Sequence, residues 1–393
     1  MRLCCVPLFA AVLLTGARSN GAVTAQPVPA DVADVAIDPQ GNAYVTGTTT
    51  AAEFPTTAGA FQTGFASCTQ TGGTCYHGFV VKLKPSGDVA WATFLEGTGG
   101  DSPSRIAFDA NGAVYVTGTT TSPDFPATHP APQGALAAFV TKLNADGASL
   151  VYSFLFNADG AIDLAVDTAG AAYVTGVPGS AASIVATPGA YRTQNGPGFV
   201  GKLNPQGTDW AYLTFFEYAD SIAVNAAGEA YLASALFAAK LNATGTALAW
   251  WEDSPATVAG GACITVDRYG SAYVARGSGY GPRADFEKFS PDGTRLYLKS
   301  LEGEIGVGRV AVNSSGELYM LGGARNLGLP VTPGAIDATL YAGENGGYIV
   351  KLDSAGSQVL YASYMSNVRG YAVAVDAAGS CMSPVGRPTC PEA

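Results

Sequence analysis

Short runs of apolar and alternating residues, separated by turns that contain glycine, follow one another along almost the whole chain. Alternation with a period of two, rich in Val, Tyr, Thr and Phe, is typical of β-strands. No window keeps a 3.6-residue apolar period for long enough to form a pair of helices. The pattern therefore predicts an all-β fold.

Two strand–turn–strand motifs alternate along the chain. The first has Asp or Asn before a turn glycine and a tyrosine in its second strand in all but the last copy, and its seven glycines are Gly41, Gly112, Gly170, Gly228, Gly270, Gly316 and Gly379. The second runs from an aromatic residue through a lysine to a turn, and its six glycines are Gly87, Gly147, Gly207, Gly245, Gly293 and Gly356. Asx side chains nucleate turns and glycine accepts positive φ, so each motif predicts a β-hairpin.

One hairpin of each kind makes a four-stranded antiparallel unit, which cannot bury both of its faces alone. Stacked radially, such units cover one another, and a closed ring protects their edges. We therefore predict a β-propeller of seven four-stranded blades, the last one incomplete, within residues 26–380. The expected blades lie near residues 32–95, 104–157, 161–216, 220–254, 262–301, 307–364 and, in part, 371–380.

These repeats resemble the SBBP family, bacterial propeller repeats of exported and cell-surface proteins. The resemblance rests on Gly-Asn-Ala-Tyr-Val-Thr-Gly at 41–47, on a Phe-Pro segment at 53–63 and on the second motif at 139–147. It covers residues 32 to about 380, although the fourth and fifth units lack the Phe-Pro segment. It implies a propeller with the first strand of each unit innermost and an exported location, but it implies no reaction.

Charge and hydropathy argue against three classes of protein: nucleic-acid binders, disordered chains and membrane-spanning chains. Asp and Glu number 31 against 20 Lys and Arg, a net charge of −11, whereas proteins that bind nucleic acids usually carry a basic excess. Hydrophobic residues make up 48% of the chain and charged residues 13%, which excludes intrinsic disorder. No segment approaches the roughly 18 uninterrupted apolar residues of a membrane span.

The N-terminus has the pattern of a secretory signal peptide, with Arg2, an apolar run at 3–14 and small residues before Gln26. We predict cleavage after Ala25, so that residues 1–25 are removed and the mature chain is secreted or held at the cell surface. In such an oxidising compartment Cys68 and Cys75, which flank a Gly/Thr-rich loop, are predicted to form a disulfide, with two free thiols as the alternative.

The seventh copy of the first motif stops matching after Gly379. Codons for Cys-Met-Ser-Pro-Val-Gly at 381–386, read in a shifted frame, can encode the Tyr-Val-Thr-Gly strand that the repeat requires. We interpret residues 381–393 as an aberrant tail that arose by a frameshift, with drift in a terminal blade as the alternative. A shifted frame would leave an open sheet edge, which is prone to pair with other chains.

Catalytic motifs are not evident. His77 and His129 are the two histidines and both are assigned to loops, and no metalloprotease, P-loop or nucleophile-elbow motif occurs. We therefore predict no catalytic residues, no metal and no cofactor.

Two polar columns recur with the motifs. The first is predicted to cap turns rather than bind Ca²⁺, since no Ca²⁺-loop motif is present, and its members are Asp38, Asp109, Asp167, Asn225, Asp267, Asn313 and Asp376. The second either pairs with these acids, faces solvent or binds a ligand, and its members are Lys82, Lys142, Lys202, Lys240, Lys288 and Lys351.

Variable segments at 48–78, 119–138, 177–198 and 323–347 are the expected recognition surface, because long loops on a rigid scaffold often carry function. Their aromatic rings suit contacts with sugars or proteins, or else they pack against the blades. The candidate ligand-binding residues are Phe54, Phe61, Phe65, Tyr76, Phe125, Tyr191 and Tyr341.

The sequence thus favours an exported, non-catalytic β-propeller that binds a protein or glycan at the cell surface. Two alternatives stay open. One is an extracellular lyase or hydrolase that acts on a polysaccharide or another polymer. The other is a scaffold fragment of a larger cell-envelope protein.

Overall fold

The computed structural model describes residues 11–12, 28–67, 75–130, 136–179, 184–194, 196–254, 260–277, 281–325, 328–339, 346–365, 374–375 and 381–382. Within these ranges the regular structure is all β-strand. No helix able to cross a membrane occurs among the described residues.

The strands follow the two motifs in the order that the sequence predicts. They are β1 (Ala11–Val12), β2 (Val28–Ile37), β3 (Ala43–Thr49), β4 (His77–Leu83), β5 (Val89–Phe94), β6 (Asp101–Phe108), β7 (Val114–Thr120), β8 (Ala137–Leu143), β9 (Leu150–Phe156), β10 (Ala158–Val166), β11 (Ala172–Pro178), β12 (Gly198–Leu203), β13 (Trp210–Phe216), β14 (Ser221–Val224), β15 (Ala230–Ala233), β16 (Phe237–Leu241), β17 (Leu248–Asp253), β18 (Gly261–Val266), β19 (Ala272–Gly277), β20 (Arg283–Phe289), β21 (Arg295–Glu302), β22 (Ile305–Val312), β23 (Leu318–Ala324), β24 (Gly346–Leu352), β25 (Val359–Met365), β26 (Ala374–Val375) and β27 (Cys381–Met382).

Six blades, each a four-stranded antiparallel meander, form a propeller. They consist of β2–β5, β6–β9, β10–β13, β14–β17, β18–β21 and β22–β25. The first strand of each blade packs against the first strand of the next, so these strands are innermost, as the resemblance implies. Apolar side chains fill the space between blades: Tyr44, Val80 and Trp91 of blade 1 pack with Ile106 and Val116 of blade 2.

The predicted count of seven blades is corrected to six. Among the described residues the seventh unit contributes β26 and β27, which pair antiparallel through Ala374–Met382 and Val375–Cys381. β26 lies beside β2 and β22, the innermost strands of blades 1 and 6. The physical reason is that residues 381–393 do not carry the aromatic-to-lysine pattern of the second motif, so this stretch lacks the sequence that forms the second hairpin in the other blades.

Both predicted terminal features fall almost wholly outside the described residues. Of the predicted signal peptide, only β1 is described, and it pairs with Val28 and Pro29 of β2. Of the tail, only β27 is described. Cleavage after Ala25 and the frameshift therefore stay predictions.

The meander gives the ring two different faces. The turns of both motifs lie at one end of each blade, which we call the turn face; an added Cβ on Gly41 in a first-motif turn would lie 3.4 Å from Pro85 in the neighbouring second-motif turn. The variable segments leave from the opposite end, the loop face.

The Phe-Pro segments cover the outer edges of their blades. In blade 1 the backbone N–H of Thr57 donates to Ala92 O on β5 at 2.9 Å, and that of Gln62 donates to Thr93 Oγ1 at 2.8 Å. The same contact recurs in three further blades, as Thr128–Ser153, Thr187–Leu213 and Thr332–Ala362. Because an uncovered outer strand exposes unpaired backbone groups, these segments protect the sheet edge.

Candidate functional site

Four charged side chains meet at the centre of the ring. Arg309 on β22 contacts Asp34 on β2 at 2.8 Å and Asp163 on β10 at 3.0 Å. Arg105 on β6 contacts the same oxygen of Asp163 at 3.1 Å. Arg309 thereby joins blades 1, 3 and 6 across the axis.

These charges are balanced within the protein. Asp34 and Asp163 are buried, and Asp163 also accepts hydrogen bonds from Ser221 Oγ at 2.7 Å and from the N–H of Ile222 at 2.9 Å. Burial by itself raises the pKa of Asp163, but Arg309, Arg105 and these hydrogen bonds outweigh it and hold the pKa below its usual range. The carboxylate is therefore ionised and fully engaged.

The sequence reasoning missed this cluster, although a signal for it exists. All four residues occupy the same position of the repeat, three residues before the last residue of the innermost strand. Around the ring that position carries Asp34, Arg105, Asp163, Ser221, Cys263 and Arg309, which we call the axial ring. Opposite charges at one position of different repeats indicate contacts across the axis.

The Asp and Asn column caps turns, as predicted. Asp109 Oδ1 accepts the N–H groups of Asn111 and Ala113 at 2.9 and 3.0 Å, and its Oδ2 accepts the hydroxyl of Tyr115 at 3.1 Å. Five further members accept the equivalent backbone bonds, namely Asp38, Asp167, Asn225, Asp267 and Asn313. Asp376 lies outside the described residues.

The lysine column pairs with carboxylates in four of the six blades. Lys142 contacts Asp109 at 3.1 Å, and Lys202 contacts Asp167 at 3.3 Å. Where the turn residue is Asn, which carries no charge, the lysine pairs instead with a glutamate four residues after that Asn. The replacement pairs are Lys240–Glu229 at 2.6 Å and Lys351–Glu317 at 2.9 Å.

The loop aromatics do not form one surface. Phe54 and Phe125 are buried, with ring centroids 4.8 Å from Phe79 and 4.7 Å from Phe139 respectively, so they present no surface to a ligand. Phe61 and Phe65 are half-buried against the core, whereas Tyr76 and Tyr191 are 49% and 38% exposed. Tyr341 lies outside the described residues.

Cys75 is disulfide-bonded. Its predicted partner, Cys68, lies outside the described residues, so the pairing of these two cysteines stays a prediction. Cys263, on the axial ring, is buried and free, and its thiol donates to Gly308 O at 2.8 Å.

His77 is not the loop residue that the sequence predicted. It is the first residue of β4, it is buried under the ring of Phe65 at 4.1 Å, and its Nδ1 lies 2.5 Å from Glu96 Oε2. Burial raises the pKa of Glu96 to about 7 and lowers that of His77, so burial favours the neutral form of both side chains. The other histidine, His129, is half-buried and pairs in a bridge with Phe154.

This pair predicts a pH dependence of folding stability. Glu96 keeps its proton up to about pH 7 in the folded state but loses it near 4.5 when unfolded, so its contribution is complete at low pH and is lost as the pH rises. Relative to Glu96→Gln, the free energy of unfolding of the parent chain should fall by up to about 3 kcal/mol over that window. His77 opposes the change, because its lowered pKa favours the folded state at higher pH.

Urea denaturation at about pH 5 and about pH 8 would measure the difference. The control is Glu217→Gln, because Glu217 pairs with Arg192 at the surface. Parallel pH profiles for the parent chain and Glu96→Gln would show that the carboxyl does not titrate in this window.

A polar cleft of about 440 Å³ opens on the turn face between blades 5 and 6. Arg268 and Tyr269 come from the first-motif turn of blade 5, Ser314 and Ser315 from the equivalent turn of blade 6, and Lys288 from β20 lies between them. We call this the blade 5–6 cleft. The variable segments to which recognition was assigned leave the blades at the opposite end.

No cluster of three or more His, Cys, Asp or Glu side chains able to hold a metal occurs in the described parts of the chain. The charged groups of the axial ring pair with one another, and the pair of His77 and Glu96 is buried. Of these three arrangements, the blade 5–6 cleft is the one in which charged side chains border open space.

Comparison with known proteins supports the fold. The family described as SBBP, beta-propeller repeat, matches residues 31–55 and 90–126, which confirms the resemblance noted from the sequence. No curated protein matches the chain.

Solved structures include similar folds. Hydrazine synthase from Kuenenia stuttgartiensis has a TM-score of 0.50 and 11% identity, over 72% of this chain and 73% of that one. A protein of unknown function from Bacteroides caccae has a TM-score of 0.33 and 16% identity, over 47% of this chain and 60% of that one. At such identity the first likeness shows a shared fold alone, and the second carries no argument.

Proposed function

We propose that this chain, whose SBBP-type repeats build the ring, is an exported, non-catalytic module that binds a protein or glycan at the cell surface. Export is supported by the signal-peptide pattern of residues 1–25 and by the disulfide at Cys75. The blade 5–6 cleft on the turn face is the proposed site of binding.

The observation that carries this proposal is the pairing of charges in the axial ring. A hydrolase or lyase that used these axial carboxyl groups as its acid or base would need one of them free to exchange a proton with its substrate. Asp34 and Asp163 are instead fixed between arginines and backbone N–H groups, with the pKa of Asp163 lowered. These two carboxylates stabilise the ring by joining its blades. We therefore place recognition at the surface of the ring.

An extracellular enzyme is the second candidate, and one observation favours it. Glu96 beside His77, with a pKa of about 7, has the properties of a general acid. Both side chains are buried, however, and Phe65 covers the histidine. Catalysis there would require this part of the loop face to open.

The experiment is a combined retention and turnover assay with the purified mature chain. A panel of cell-surface polysaccharides and proteins is immobilised, and both bound chain and released products are quantified. Retention without product release supports the binding module. Product release that Glu96→Gln abolishes would overturn the proposal and establish the enzyme.

A further inference from the structure

Lys288 departs from the pattern of its column. Four of the column lysines contact a carboxylate within 4 Å, whereas no carboxylate of the described residues lies that close to Lys288. Its Nζ lies over the Tyr273 ring, 4.7 Å from the centroid. A Cβ added to Gly316 on the blade 6 turn would be 3.9 Å from that Nζ, so the ammonium group lies at the wall of the blade 5–6 cleft.

The turn of blade 5 also departs from the others. At the two positions after the turn Asx residue, blade 5 carries Arg268 and Tyr269, where blades 2, 3, 4 and 6 carry Ala110–Asn111, Thr168–Ala169, Ala226–Ala227 and Ser314–Ser315. Arg268 donates to the Tyr269 hydroxyl at 2.6 Å, and no described carboxylate forms an ion pair with it. The ring of Tyr269 is 68% exposed.

The cleft holds one carboxylate against two cations. Asp267 accepts the N–H groups of Tyr269 and Ser271 and the hydroxyl of Tyr273, as Asp109 does in its own turn, but unlike Asp109 it forms no ion pair with the lysine of its blade. In a chain of net charge −11, two cations beside one engaged acid form a local site for an anion. Arg and Lys together suit a carboxylate, which charge-assisted hydrogen bonds would hold.

The neighbouring groups indicate what carries that carboxylate. The Arg268 guanidinium lies over one face of the exposed Tyr269 ring, with its carbon 4.7 Å from the centroid, and the other face offers a flat amphipathic surface. The hydroxyls of Ser314 and Ser315 offer both donors and acceptors. The volume falls within the range of about 300–1,000 Å³ usual for ligand pockets. We propose that the blade 5–6 cleft binds an acidic glycan, with Lys288 and Arg268 holding a uronate carboxylate and Tyr269 stacking on the sugar ring.

This inference rests on the proposed binding function and names its ligand class. The test is calorimetric titration with oligogalacturonate and with its methyl-esterified form of equal length, which lacks the charge. Lys288→Met should weaken oligogalacturonate binding roughly 10- to 100-fold, the usual effect of losing a charged hydrogen bond. Methionine keeps an aliphatic stem over Tyr273, and circular dichroism verifies folding.

Lys82→Met is the matched control. Lys82 is the equivalent lysine of blade 1, it lies over Tyr44 at 4.8 Å and likewise has no described carboxylate within 4 Å, but its turn carries Pro39 and Gln40. Unchanged affinity for Lys82→Met and much weaker binding of the esterified ligand support the inference. Equal losses for both lysines, equal binding of the esterified form, or binding of oligoglutamate with the same dependence on Lys288 would overturn it.

Absence of any oligogalacturonate binding would also overturn this inference, but not the broader function. The retention and turnover assay decides that function independently.

Discussion

Replacing Arg309 by methionine is expected to lower the free energy of unfolding by about 3–5 kcal/mol, the cost typical of removing one partner from a buried ion pair. Arg309 contacts both Asp34 and Asp163, and both carboxylates are buried. Without the guanidinium group, Asp34 has no remaining ion-pair partner among the described residues, while Asp163 retains Arg105. Urea denaturation followed by circular dichroism would measure the loss.

Two further variants make this result interpretable. Arg192→Met removes a half-exposed partner of Glu217 and should cost no more than about 1 kcal/mol. Asp34→Asn in the Arg309→Met background should restore part of the stability, because it removes a buried charge without a partner. If Arg309→Met and Arg192→Met lost the same stability, the axial ring would not contribute to folding.

The second large effect is expected at Gly207, where alanine should destabilise the chain by about 2–4 kcal/mol. Gly207 has a φ of +68°, and a Cβ built on it would lie 2.2 Å from Cγ of the buried Tyr152 ring in the preceding blade. The substitution therefore combines an unfavourable left-handed backbone with overlap against an aromatic ring that has no room to move.

Gly59→Ala separates these two contributions. Gly59 has a φ of +82°, but no atom lies within 4 Å of an added Cβ, so alanine there should cost only the backbone term of about 1–2 kcal/mol. Thermal or urea unfolding of both variants provides the comparison. Equal destabilisation would mean that the contact between blades yields readily to a methyl group.

Hairpins and turn caps were predictable from the sequence because their contacts are local. An Asx side chain bonds backbone groups two and four residues later, as Asp109 does with Asn111 and Ala113. Recurring Gly and tyrosine positions then indicate a repeated blade, and the antiparallel meander follows. Even the exchange of Asp for Asn at residue 225 is local, since Glu229 supplies the missing charge.

Contacts between distant repeats were not predictable in this way. Gly207 occupies the turn position at which glycine recurs in the second motif. It also lies against the Tyr152 ring of the preceding blade, a contact that the turn pattern does not reveal. Phe54 lies in a variable loop, yet it packs into the blade 1 core. His77 directly precedes a strand core but is buried by Phe65 and Glu96, which come from other segments.

The sequence by itself determined the all-β class, the four-stranded unit and the chemistry of its turns, because these depend on residues a few positions apart. The tertiary structure alone decided that Asp34, Asp163 and Arg309 meet at the axis, and that Lys288 lacks the carboxylate that four of its counterparts have. Those outcomes depend on how repeats far apart in the chain face one another around a ring, and the free energy of such contacts exists only once the ring has formed.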